Sequence, residues 1–365
     1  MERRQFLVSG GAAATAGLAG CSATKEATEG ATAGSSETQA DSLTVATYST
    51  FVDAPSDSPG EWIKQTFEDR YDVEFEWAVP DRPITHYIER YNSNAPIDAE
   101  LYVGLKPQDL VRVDQATDSG LFESINRSEL VHIDDVDPAF DFDPTDRTVP
   151  VYANYASLVY DGRQLTSPET FEALTTESYT DTFAVPNPAQ DDTGLYFLLW
   201  TIDRFGESGE YTYLDYWRDL LDNGAQVLGS WGTMYTQFTE GQIPMIVSYA
   251  NDRVYAKRSG SDLKKHQVGF LNGQGYANLN AVARFTEGTA DTLATQFVDF
   301  LLTPEVQAKI AELNVTGPVN TMATPPTVYQ EFAKEPDEGV FLGYERLNGN
   351  LTQWQRELER ELVDR

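Results

Sequence analysis

Cysteine is almost missing from this chain: one residue, Cys21, in 365. A disulfide framework is therefore excluded. Histidine is nearly as scarce, with only His86, His132 and His266. A structural zinc centre, which draws its ligands from these two residue types, is excluded too. Positive charge is the third shortage. Lys and Arg number 26 against 58 Asp and Glu, giving a formal charge of −32. Such a surface repels the phosphates of nucleic acid and anionic lipid faces. The sequence also lacks G-x-S-x-G, a P-loop and H-E-x-x-H. Gly273-Gln274-Gly275 has no third glycine and precedes a strand pattern where a dinucleotide loop needs a helix. Neighbouring acids such as Asp191-Asp192 could exchange protons, but one pair among 58 carboxylates carries little information. These shortages argue against an enzyme.

Aromatic residues are plentiful: 19 Tyr, 18 Phe and 6 Trp. They supply enough apolar surface for packed cores and exclude a disordered chain. The length suits two or three domains at about 150 residues each. The acid surplus runs along the whole chain, the pattern of a halophilic protein. In strong salt the Debye length shrinks to about 3 Å at 1 M, which removes self-repulsion. The expected result is a Tm that rises with KCl, measurable by differential scanning calorimetry between dilute and molar salt.

Residues 1–20 read as a secretory signal, with Arg3 and Arg4 ahead of the weakly apolar run Phe6 to Leu18. That run is too short for a permanent membrane helix. Arg3-Arg4-Gln5-Phe6-Leu7 resembles a twin-arginine export signal. Leu18-Ala19-Gly20-Cys21 resembles a lipobox, so Cys21 is expected to carry the lipid that anchors the mature protein to the outer face of the cytoplasmic membrane. Residues 21–42, rich in Ser, Thr, Ala, Gly and Glu, read as a flexible tether. Twenty such residues span roughly 25 Å. Asn126, Asn314 and Asn350 begin N-x-Ser/Thr sequons, possible glycan sites in an exported protein.

The body alternates strand and helix patterns. Strands are expected at 43–48, 73–77 and 98–105, separated by helices at 61–71 and 86–91. That order implies a parallel sheet covered by helices. A long extended run spans 149–160. Further strands are expected at 182–186, 245–249, 268–270 and 279–285, and helices at 195–205, 213–221 and 290–302. Leu351, Trp354, Leu358 and Leu362 form a helical stripe that should dock on the body.

The most informative stretch runs from Gly229 to Tyr255. It holds Gly229-Ser230-Trp231-Gly232, Tyr235, Phe238, Glu240-Gly241, the apolar run Met245-Ile246-Val247-Ser248-Tyr249, and Tyr255. This resembles the thiamine-binding members of the ABC-transporter substrate-binding proteins. Tyr48 and Phe51 after the first strand, Asn187-Pro188, Gly194-Leu195 and Pro318-Val319 extend the resemblance over most of residues 43–322.

The resemblance implies a bilobal α/β fold: two mixed sheets flanked by helices and joined by a two-strand hinge. One lobe would take 43–151 and 281–365, the other 156–275. The ligand would lie between the lobes, with Tyr48, Trp231, Tyr235, Tyr249 and Tyr255 supplying rings. Aromatic faces suit thiamine, a flat cation, at about 0.5–2 kcal/mol per ring. The partners implied are an ABC permease and its ATPase, with the binding protein a monomer that needs no cofactor. The family usually has Ser and Thr where this chain has Asp191 and Asp192. There they receive the phosphate of phosphorylated thiamine, so two carboxylates imply preference for the unphosphorylated vitamin, unless both merely cap a helix. An acidic residue of the family is Lys106 here, a tryptophan is Val315, and a tryptophan expected near Ala54 is missing. These departures leave open another organic cation, polyamine-like, or a metal ion on the same scaffold. An exported lipoprotein hydrolase is the reading from another class.

Overall fold

The computed structural model describes residues 41–54 and 56–363. The expected signal, Cys21 and all but the end of the tether lie outside the described residues.

Eight strands form the path of one mixed sheet: β1 (Ser42–Ala46), β2 (Glu74–Ala78), β3 (Leu101–Leu105), β4 (Thr148–Tyr160), β5 (Phe183–Pro186), β6 (Gln226–Leu228), β7 (Met245–Tyr249) and β8 (Gln274–Phe285). Their order is β2-β1-β3-β8-β4-β7-β5-β6, and four short strands pair beside the path. The pairings β1–β2, β1–β3, β5–β7 and β5–β6 are parallel, while β8 runs antiparallel to β3 and β4. So the two sheets expected from the sequence are continuous through the long strands β4 and β8.

The join is visible in the register. Thr148 to Tyr155 of β4 pair with β8, whereas Ala156 to Tyr160 pair with β7. One strand thus leaves the first wing of the sheet and enters the second. Period-two alternation divides the apolar side chains between the faces. Val45 and Ala46 enter different cores, as do Val247 and Ile246. In the first wing, Phe67, Phe75, Phe297 and Phe300 pack ring against ring. In the second, Trp200 and Trp217 are fully buried beside Phe171 and Phe197.

Helix Asp192–Phe205 begins earlier than its apolar pattern, because the Asp191 side chain caps it. Helix Tyr213–Asp222 starts with a capping box formed by Thr212 and Asp215. Three helices that the coarse sequence reading omitted matter for the site: Pro107–Thr117, Asp252–Ser259 and Pro304–Leu313.

The chain end corrects one expectation. The resemblance implies that residues 281–365 belong with the first lobe, whereas helix Leu351–Val363 packs on the second core through Leu351, Trp354 and Leu358. Polar contacts fix it there. The Trp354 indole donates to Glu207 at 2.9 Å, Tyr213 donates to Glu357 at 2.6 Å, and Arg218 pairs with Glu361 at 2.5 Å. A stripe of buried residues identifies a docking face but not which core it meets.

Candidate functional site

A cavity of about 660 Å³ lies between the two wings. The first wing contributes Tyr48, Lys106 and Tyr152; the second contributes Trp231, Tyr235, Tyr249, Asp252 and Tyr255. Asn154 of β4 and Asn278 and Asn280 of β8 lie between them. Five of the seven ligand residues expected from sequence, Tyr48, Trp231, Tyr235, Tyr249 and Tyr255, therefore meet at one cavity.

Local structure holds each ring. Trp231 opens helix Trp231–Thr239, whose N-cap is the Ser230 side chain. Tyr235 is one turn on, where side chains share a face, and its ring stacks on the indole at 4.6 Å and 24°. The indole N–H donates to the Ser248 hydroxyl at 3.0 Å. Tyr249 lies 6.4 Å from the indole, and its hydroxyl is 2.9 Å from that of Thr193. Across the cavity the Tyr48 and Tyr152 hydroxyls meet at 2.7 Å. Gly104 permits that approach: a Cβ there would stand 2.6 Å from the Tyr48 ring, and its φ of +96° also favours glycine. Tyr255 donates to the Asn314 carbonyl at 3.1 Å. Burial pushes the Tyr249 and Tyr255 phenols up to about 12, so both stay protonated and offer neutral rings.

The two aspartates do not join this cavity. Asp191 and Asp192 line a neighbouring one, also about 660 Å³, which shares Trp231 and Tyr249 with the first. Asp191 caps two helices at once, accepting from the Thr193 N–H at 2.9 Å and the Trp231 N–H at 2.8 Å. Asp192 accepts from the Lys106 ammonium at 2.5 Å and from Gln108 at 3.3 Å. Burial opposes the charge on Lys106, but Asp192, together with Tyr196 and Asp109, outweighs it and holds the ammonium well above its ordinary range. Burial likewise opposes the Asp192 charge, and Lys106 lowers that carboxyl despite it. The pair ties one wing to the other.

Sequence reasoning missed the polar floor. Asn278 lies opposite Asn154 in the register, and Asn280 follows on the same face. Tyr196 donates to Asn278 at 2.8 Å. Two asparagines at i and i+2 inside an apolar strand were the available signal. Asp252, which accepts from Tyr235 at 2.6 Å, was also missed. Val315 is buried with φ +53°, and its carbonyl accepts from Asn251. A β-branched residue in the left-handed region stores about 1–3 kcal/mol, here beside Asn314 and Thr316 of the cavity wall. Of the sequon asparagines, Asn314 lines this cavity, the Asn350 amide donates to Arg346, and Asn126 is exposed.

Comparison with known proteins agrees with this architecture. The thiamine-binding periplasmic protein of Brucella melitensis is 23% identical over 318 residues, covering 87% of this chain and 91% of the relative. A solved periplasmic thiamin binding protein superposes with a TM-score of 0.71 at 21% identity, covering 87% of this chain and 95% of that one. The ferric iron-binding protein A of Mannheimia haemolytica, in an open conformation, gives 0.70 at 15% identity, with coverages of 89% and 100%. One scaffold thus occurs in proteins named for very different ligands. The family model described as bacterial extracellular solute-binding protein matches residues 62–336. With three-quarters of its length inside that match, this chain belongs to the bacterial extracellular solute-binding proteins.

Proposed function

We propose that this protein captures thiamine outside the cytoplasmic membrane and delivers it to the permease of an ABC importer, whose ATPase drives uptake. The observation that carries the reading is the set of six aromatic residues from both wings around one cavity, Tyr152 beside the five expected. The two lobes divide near residues 152 and 276, on the strands β4 and β8 that run through both wings. The second lobe includes the last helix. Closure of the lobes encloses the ligand, and the closed monomer docks on the permease. Cys21 carries the lipid anchor, and the acidic surface suits strong salt.

An organic cation fits better than a metal ion. Among the described residues no three His, Cys, Asp or Glu side chains gather to hold a metal, and the rings around the cavity offer faces to an organic cation. A hydrolase is set aside by membership in a family of binding proteins.

The reading includes preference for unphosphorylated thiamine. The N–H groups at the starts of two helices, ready donors to an anion, are already taken by the Asp191 carboxylate. A phosphate arriving there would meet charge of its own sign. Titration calorimetry of residues 42–365 in molar KCl tests both parts. Thiamine is expected to bind below micromolar, and thiamine monophosphate at least about tenfold more weakly, a gap of about 1.4 kcal/mol. Equal binding would reduce the aspartates to helix caps and an interlobe ion pair. No heat from either, with folded protein, would reject thiamine and direct the search to choline and spermidine.

A further inference from the structure

We infer that Asp252 is the residue that selects the ligand's positive charge, held for that task by Tyr235 and His266. The inference rests on reading the aromatic cavity as the ligand site.

The cavity wall contains two carboxylates, Asp57 and Asp252, and one ammonium, Lys106. Lys106 is neutralised by Asp192 at 2.5 Å. Asp57 is exposed, so water screens it. Asp252 is 4% exposed, and a carboxylate that deep is retained only where hydrogen bonds or a counter-charge compensate it. Two fixed donors supply part of this. The Tyr235 hydroxyl donates to Oδ1 at 2.6 Å, and His266 Nδ1 faces Oδ2 at 2.7 Å. A carboxylate only accepts, so it selects the tautomer with hydrogen on Nδ1. Asp252 is also the first residue of helix Asp252–Ser259, where the helix dipole favours negative charge.

These contacts use one direction of each oxygen, and a carboxylate offers about four acceptor positions. Tyr255, three residues on, lines the same cavity. A cation placed at Asp252 would therefore lie beside the rings of Tyr235 and Tyr255, and Tyr235 is itself stacked on Trp231. Ring faces favour a cation but also accept a neutral aromatic. A buried, oriented carboxylate behind them makes the site demand a cation.

The test compares a neutral hydroxyethyl-methylthiazole with its N-methylated thiazolium, alongside thiamine, by calorimetry and tryptophan fluorescence. Wild-type protein is expected to prefer the thiazolium by about 30-fold or more. D252N, which keeps the shape and removes the charge, should lose most of that preference while retaining the neutral thiazole. D57N, at an exposed position, should keep it within about threefold. Should D252N not fold, D252S, which removes the charge with a smaller side chain, takes its place, and D57N controls for the other carboxylate of the wall. Charge preference that survives in folded D252N, or vanishes in D57N, would overturn the inference and leave the thiamine reading standing. Thiamine silence with thiazolium binding intact would overturn the ligand instead. A wild-type protein that binds none of the three would overturn both.

Discussion

Replacing Arg147 by methionine is expected to cost about 3–5 kcal/mol of stability and to lower Tm by roughly 5–10 °C. Arg147 immediately precedes β4, and its guanidinium is 8% exposed among carboxylates more buried still. It grips Asp114 of helix Pro107–Thr117 with two parallel bonds of 2.6 and 2.9 Å. It also reaches Asp143 at 3.1 Å, and its own N–H donates to that residue at 2.6 Å. Tyr344, from the chain-end segment, donates to Asp114 and lies under the guanidinium. Burial opposes the Arg147 charge, but the two aspartates outweigh it and hold the guanidinium firmly protonated. One cation therefore joins a helix, a crossing strand and the chain end. Methionine would replace the bulk and leave the Asp114 carboxylate buried with one donor. Because the cluster is shielded from solvent, the loss should persist in molar KCl, where surface pairs are screened. Adding D114N should recover part of it. Thermal unfolding of the two variants in low and high salt checks each step. A Tm within about 2 °C of wild type would show that the cluster adds nothing net.

Much of this fold is legible in local pattern. The run 149–160 corresponds to β4 at 148–160, and the aromatic spacing from Trp231 to Tyr255 corresponds to one cavity wall. Both signals are periodic and close in sequence. What stays hidden is what depends on distant partners. Asp191 reads as a cap for its own helix, yet it also caps a helix 40 residues away. Lys106 and Asp192 are 86 residues apart, so nothing local marks them as an ion pair between the two wings. Asp252 looks like any of 58 acids until Tyr235 and His266 are seen to face it. The last helix shows the same limit, since its apolar stripe could have met either core. Composition explains part of the difficulty. Where carboxylates are everywhere, a functional one is marked only by burial and partners, and both belong to the folded state.

Replacing Trp231 by alanine is expected to weaken thiamine binding by about 100-fold or more, with only a small change in Tm. The asymmetry follows from how the residue is held. Its backbone N–H is capped by Asp191, and Ser230 caps Thr233 at 3.2 Å, so alanine keeps both contacts and the helix start survives. The indole itself is only half-buried, stacked on Tyr235 and tied to Ser248. Its removal takes away one ring face for the cation, worth about 0.5–2 kcal/mol. It also takes away the support that orients Tyr235. Trp231 also lines both the aromatic cavity and the one holding Asp191 and Asp192, so alanine would open the wall they share and admit water behind the ligand. Phenylalanine would restore a ring but not the N–H to Ser248, and should recover most of the affinity. The expected order is tryptophan, then phenylalanine, then alanine far below, read by calorimetry beside thermal unfolding. If alanine binds thiamine within threefold of wild type, the ligand does not use this wall and the aromatic cavity is not its site. If alanine instead unfolds the protein, the indole belongs to the core, and its stacking on Tyr235 serves the fold before it serves the ligand.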